Sequence, residues 1–496
     1  MYLLGLDIGS SSVKAALLDA QKQQLIASAT APDQEMPIIA GRPGWAEQHP
    51  DLWWDNVKIT IGKILAVSDI DPADIAAIGI SYQMHGLVIV DKHHKALRPS
   101  IIWCDSRAVA IGNEAAAAIG PATCLKHLLN LPGNFTASKL RWVRENEPHI
   151  YAQIHKAMLP GDYIAMRLTD TIVTTESGLS EGILWDYQNQ ALADMVLNRY
   201  EIDPGLIPDT APTFSVQGEL SPSAAAELGL KPGVKVTYRA GDQPNNALSL
   251  NVLNPGEIAA TCGTSGVVYG VGAQPQYDAK SRVNTFIHVN NSPAVTRYGV
   301  LMCLNGAGIL NSWLKHNAGG GMDYKKMNEL AGRAPAGGDG LSIFPYGNGA
   351  ERTLENGDMG AVIEGLNFNR HQQSHLLRAG QEGIVFALNF GLEIMREMGV
   401  KIETVRAGAA NMFLSPLFGQ VFADTTGAVV ELYNTDGAQG AARGAGVGAG
   451  IYHSFPEAFT GLKRTGIIEP QANQIKIYRE IYQNWRHILL QRINRS

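Results

Sequence analysis

Cysteine is scarce: Cys104, Cys124, Cys262 and Cys303 are widely scattered, with no C-x-x-C pair. That excludes a disulfide framework or a zinc ribbon and suits reduced thiols in a cytoplasmic protein. Charge is also sparse, at 17% of 496 residues with a net value of -6. No Lys/Arg run offsets it, which argues against nucleic acid as a partner. No stretch reaches the roughly 18 uncharged apolar residues of a membrane span. The start of the chain has no basic region leading into an apolar core and cleavage site, so neither a signal peptide nor a membrane anchor is expected. Three nucleotide or metal signatures are missing too. The one Gly-Lys pair, Gly62-Lys63, is followed by Ile64 rather than Ser or Thr, and neither H-E-x-x-H nor a strand-linked G-x-G-x-x-G occurs.

What is present is glycine, 53 residues of it, in a chain that is 45% hydrophobic. That composition fits a well-packed α/β protein, and the length suggests two large domains, 1–247 and 248–496. The segment Met1 to Asp19 (MYLLGLDIGSSSVKAALLD) reads as strand, hydroxyl-rich turn, strand, with one carboxylate, Asp7, inside the apolar run. About 250 residues later Ile258 to Gly270 repeats the plan around Gly263-Thr264-Ser265-Gly266, which suggests two halves of related design. Each turn offers backbone N–H groups and hydroxyls to phosphate oxygens, and Asp7 suits a hydrated Mg²⁺. An ordinary hairpin with a polar tip is the plain alternative for either turn taken alone. Strands are expected at 75–81, 87–90, 101–103 and 234–238. Helices are expected over 138–145, after Gly161, and over 375–398, 416–426 and 437–450, with a solvated amphipathic one at 475–493. Residues 204–222 read as surface loop.

Asp242 follows a strand and Gly241, where it can accept a proton from an alcohol during phosphoryl transfer, or simply cap the next helix. Gln83-Met84-His85-Gly86 ends another strand and can present an amide, a thioether and an imidazole to a polyol. Asp105 is a second acid able to bind hydroxyls or to close an Asx turn. Trp45 can stack on a sugar, whereas Trp53 and Trp54 read as helix packing.

These pieces, in this order, resemble the FGGY carbohydrate kinases: Gly5 to Ser12 with Lys14, Trp45-Ala46-Glu47-Gln48, Gln83 to Gly86, Trp103 to Arg107, Lys139 to Trp142, Gly241-Asp242-Gln243, Cys262 to Gly266, Pro345-Tyr346 with Glu351-Arg352, and Ala423-Asp424. The resemblance implies an α/β fold of two ribonuclease-H-like (actin-like ATPase) domains flanking an interdomain cleft, which closes on the sugar to keep water from the phosphoryl group. It implies ATP and Mg²⁺ as cofactors, Asp7 at the metal and Asp242 as catalytic base. Ser10, Ser11, Ser12, Lys14, Gly263, Thr264 and Ser265 would face the ATP phosphates. On the adenosine side the usual glycine triplet is altered to Arg406-Ala407-Gly408-Ala409, leaving Gly408 and Asn411 as contacts.

Within the family the chain is most similar to the xylulokinases, which implies transfer to the 5-hydroxyl of D-xylulose. Met84, His85, Asp105, Asp242 and Gln243 would then bind the ketose, with Gln243 standing where many of that group have Asn. Ribulose, L-xylulose, a hexulose, gluconate and a non-catalytic sugar sensor are the competing expectations. A homodimer is an arrangement the sequence permits without requiring.

Overall fold

The computed structural model describes residues 1–494. Among them no helix is long and apolar enough to cross a membrane. The chain forms two compact units. The first comprises Met1–Asn251, Phe286–Tyr298 and Thr435–Leu462; the second comprises Val252–Thr285, Gly299–Asn434 and the chain from Lys463 onward.

The first unit is built on a six-stranded sheet ordered Phe214–Glu219, Lys235–Gly241, Ile75–Tyr82, Tyr2–Ile8, Val13–Asp19, Leu25–Ala31. The Tyr2–Ile8 strand is antiparallel to Val13–Asp19 and parallel to Ile75–Tyr82, which is parallel in turn to Lys235–Gly241. Trp53 and Trp54, on the helix Pro50–Val67, are buried against one face with Ile78, Ile80 and Tyr163. Against the sheet also lies the helix Gly437–Gly448, from late in the chain. Its glycines and alanines are there because the backbones nearly touch. A Cβ on Gly5 would lie 1.9 Å from the Ala438 carbonyl, and one on Gly79 would lie 2.0 Å from that of Ala441. This fit draws Thr435–Leu462 into the first unit, so the units do not follow a single cut near residue 247.

In the second unit the sheet order is Asn284–Ile287, Tyr298–Leu304, Gly266–Gly272, Ile258–Cys262, Thr404–Gly408, Val429–Tyr433, Arg464–Ile468. The helix Gln373–Glu397 is buried along most of its length. The final helix, Ala472–Ile493, is amphipathic but not merely solvated. Its Trp485 is fully buried, stacks on Phe344 at 4.9 Å, and donates its indole N–H to the Ile343 carbonyl at 3.0 Å. A second difference from expectation lies within 204–222. There Phe214–Glu219 forms an edge strand, with Phe214 stacked on Tyr238 at 5.0 Å and the pairing shifted between Phe214 and Gly218. The Gly/Pro content of that stretch marks the irregular edge rather than the absence of a strand. The strand expected at 101–103 shortens to Ser100–Ile101, and a turn presents Trp103 and Cys104.

Candidate active site

Strand register gathers the acids of the first unit. Asp7 pairs with Ser81 and Gly241 pairs with Tyr82, so Asp7, Ser81 and Asp242 all emerge at the same ends of three adjacent parallel strands. Ser81 donates its hydroxyl to Asp7 Oδ1 at 2.8 Å. A Cβ on Gly437 would fall 2.5 Å from Oδ2, so glycine is what leaves that oxygen approachable. Burial raises the Asp7 carboxyl, the Ser81 hydroxyl and the Lys14 charge lower it, and Asp436 adds to the rise. Among the described residues no three His, Cys, Asp or Glu side chains converge into a metal cage. Asp7, with one oxygen held by Ser81 and the other left open, has the chemistry to hold a divalent cation such as Mg²⁺ through water.

Asp242 occupies the first position of the helix Asp242–Ser249, while the cap position falls on Gly241 without a side-chain cap. The simple capping role is thus not what places an acid here. Burial, with the Asp7 charge beside it, pushes the Asp242 carboxyl up to about 7. Gln243 Nε2 donates to Asp242 Oδ2 at 3.2 Å. A Cβ on Gly241 would lie 2.6 Å from Met84 Cγ, which sets the Met84 side chain against the residue before Asp242. His85 follows in a left-handed conformation, φ 62°.

Asp105 is placed differently from an open sugar ligand. It is fully buried, and its oxygens accept from the Ala46 N–H at 2.6 Å and from Arg107 Nε and Nη2 at 2.7–3.0 Å. Arg107 in turn lies 3.8 Å above the Trp45 ring and reaches Glu47 at 2.6 Å. Trp142 meets Trp45 edge-on at 5.3 Å and lies 4.7 Å from the same guanidinium, so the Trp45, Asp105 and Lys139-to-Trp142 motifs form one internal network. The first turn closes through Gly9 N–H donating to the Ser12 carbonyl at 3.0 Å, and Ser10 Oγ accepts from Trp103 Nε1 at 3.2 Å.

The second unit repeats the hairpin at Ile258–Cys262 and Gly266–Gly272, with Thr404–Gly408 parallel alongside. Asn411, at φ 54°, brings its amide beside Gly263: a Cβ there would be 3.4 Å from Asn411 Nδ2. Gly263 to Ser265, Gly408 and Asn411 thus share one end of the sheet.

Sequence reasoning missed Gly308, whose absent side chain lets its backbone press on the Gly263 carbonyl, a Cβ falling 1.9 Å away. It missed the role of Glu351, which accepts from the Asn305 N–H at 2.8 Å and is pushed by burial up to about 8. It also missed Glu181, buried beside His85. Glu181 stands between Ser180 and Gly182, outside any apolar run, so it carried no signal like the one that marked Asp7.

A family model described as the FGGY family of carbohydrate kinases, N-terminal domain, matches residues 2–249, and its C-terminal counterpart matches 258–451. A xylulose kinase of Bacillus subtilis (strain 168) is 28% identical, the match covering 98% of this chain and 96% of that one. An L-xylulose/3-keto-L-gulonate kinase of Escherichia coli (strain K12) is 30% identical over the same shares. The crystal structure of a "xyloylose kinase" from Brucella ovis superposes with a TM-score of 0.88 at 27% identity, covering 98% of both chains. The mixed α/β arrangement of two sheet-bearing units is accordingly the actin-like ATPase fold of these kinases.

Proposed function

We propose that this chain, which belongs to the FGGY family of carbohydrate kinases, transfers the γ-phosphoryl group of ATP to the 5-hydroxyl of D-xylulose. The single observation that carries the chemistry is Asp242, which follows the end of a strand on the same sheet edge as Asp7 and is raised to about 7. A base of that strength is matched to accepting an alcohol proton near neutrality. Phosphoryl transfer otherwise asks for positioning and charge stabilisation. Met84, His85 and Gln243 flank the base and would orient the acceptor. Asp105 would act on it through the Arg107–Trp45 network.

Ser10 to Ser12 with Lys14, and Gly263 to Ser265, would hold the phosphates, and Gly408 and Asn411 the nucleoside. Asp7, oriented by Ser81, would hold Mg²⁺ through water. The bound cation would supply charge neutralisation at the phosphates. In this reading the chain up to about residue 247 carries acceptor, base and the first phosphate turn, and the remainder carries the second phosphate turn and the nucleoside contacts. The enzyme would work in the cytoplasm, and a homodimer is compatible with it.

The name of the 30% identical relative favours one second reading, L-xylulose as acceptor. ADP release measured across pentuloses, hexuloses and gluconate separates the two. D-xylulose is expected to give the highest kcat/KM, and no turnover with any pentulose overturns the proposal. Asp242→Asn is expected to lower kcat about a thousandfold while sugar binding persists by calorimetry. Near-normal turnover in that variant would remove Asp242 from the role of base and reopen the sensor reading.

A further inference from the structure

His85 sits in a backbone conformation that non-glycine residues seldom adopt, and one buried acid organises it. Glu181 is 2% exposed. Its Oε2 accepts from the His85 backbone N–H at 3.1 Å and lies 3.5 Å from the His85 ring. Its Oε1 accepts from the Tyr82 hydroxyl at 2.6 Å. The Glu181 main-chain carbonyl meets His85 Nδ1 at 3.0 Å. A carbonyl can only accept, so Nδ1 carries a proton. On the other side of the residue, Lys139 Nζ donates to the His85 carbonyl at 2.8 Å, and the Phe135 ring meets the imidazole edge-on at 4.8 Å. The His85 N–H, carbonyl and ring are all held, two of the three by Glu181.

The same carboxyl reaches the residue before the base. A Cβ on Gly241, the residue before Asp242, would lie 3.2 Å from Glu181 Oε1 as well as 2.6 Å from Met84 Cγ. Burial lifts the Glu181 carboxyl well above the usual range, and the charges of Asp242 and Asp162 add to the rise. Packing alone does not call for such a group, because an apolar side chain fills an interior without the desolvation cost of an acid. What an acid supplies here is two acceptors at a fixed separation, one for the end of the strand and one for the residue that follows its turn.

We propose that Glu181 is a positioning residue of the acceptor site, fixing the His85 imidazole and the Met84–His85 backbone against Gly241–Asp242 and thereby setting acceptor selectivity. The inference rests on the reading of Met84 and His85 as acceptor contacts. Without the carboxyl, two buried donors lose their partner and the left-handed turn is free to relax. A small displacement of a positioning group is costly to turnover.

Steady-state kinetics of the intact enzyme with D-xylulose and ATP test it. Glu181→Ala is expected to raise the acceptor KM about tenfold or more, with the KM for ATP changed less than about twofold. Glu181→Gln keeps one acceptor and should raise the acceptor KM only about threefold. In a His85→Ala background, Glu181→Ala should add less than about twofold, because the two act as a unit. Equal rises in both KM values, or full additivity in the double variant, would reduce Glu181 to a fold strut and overturn the proposal. If Glu181→Ala fails to fold, Glu181→Gln decides, and an unchanged acceptor KM overturns the proposal. An unchanged acceptor KM in His85→Ala alone overturns the acceptor-site reading itself, a distinct failure.

Discussion

The two hairpins share a plan and part company at one register position. In the first, Asp7 pairs with Lys14; in the second, Thr261 pairs with Val267. Both are followed by a glycine-and-hydroxyl turn, and both are flanked by a parallel strand. The charge therefore does not belong to the hairpin as a scaffold. It was placed in the unit where Ser81 and Asp242 stand at neighbouring strand ends, and left out of the hairpin at 258–272. In the proposed reading both turns would hold phosphate and only the charged copy would also hold the cation, so function follows the site rather than the fold.

The sharpest way to break this comparison is to neutralise the matched positions. Asp7→Asn is expected to lower kcat about a hundredfold or more, whereas Thr261→Val should change it less than about twofold. Comparable losses from both would mean that the hairpins contribute alike and that the charge has no special place. The next effect is a shift along the pH axis. As the proposed base Asp242 would act only when ionised, so kcat/KM should rise with pH through about 7 on the acid side. Removing the Asp7 charge takes away one cause of that raised value. The acid limb of the residual activity in Asp7→Asn should therefore move to lower pH, while that of Thr261→Val stays in place. The stability sign runs the opposite way. A carboxyl raised in the folded state stabilises it below the unfolded value near 4 and loses that contribution as pH rises through about 7. Asp242→Asn should consequently raise Tm at about pH 8 and leave it nearly unchanged at about pH 4.

Much of this arrangement was legible in the sequence because it is local. A carboxylate inside an apolar strand and a turn of Gly-Ser-Ser-Ser or Gly-Thr-Ser-Gly identify themselves without tertiary information, and so does Asp242 after its strand. The family resemblance then ordered them. What stayed hidden depends on partners far apart in the chain. Asp105 looks like an open loop acid until Arg107 and the Ala46 N–H occupy its oxygens. Trp45 looks like a sugar platform until a guanidinium lies over its ring. Gly437–Gly448 reads correctly as a close-packed helix, but which sheet it packs on is decided by Gly5 and Gly79, more than 350 residues earlier. Phe214–Glu219 was obscured by its own turn residues.

The smallest expected effect tests whether the two turns differ in their hydroxyls as they do in their charges. Ser10 Oγ accepts the Trp103 indole N–H at 3.2 Å, whereas Thr264 is exposed and its carbonyl accepts the Ile309 N–H at 3.2 Å. If both hydroxyls hold phosphate oxygens, Ser10→Ala and Thr264→Ala should each raise the KM for ATP about threefold with kcat nearly unchanged, the cost of one neutral hydrogen bond. They should differ in a second readout. Ser10→Ala removes the partner of the half-exposed Trp103 and should alter its fluorescence, an effect absent from a Trp103→Phe background. Thr264→Ala should leave that emission alone. A KM change in Ser10→Ala that disappears once Trp103 is replaced would mean that Ser10 acts by holding the indole rather than the nucleotide, and the first turn would then be a weaker phosphate holder than the second.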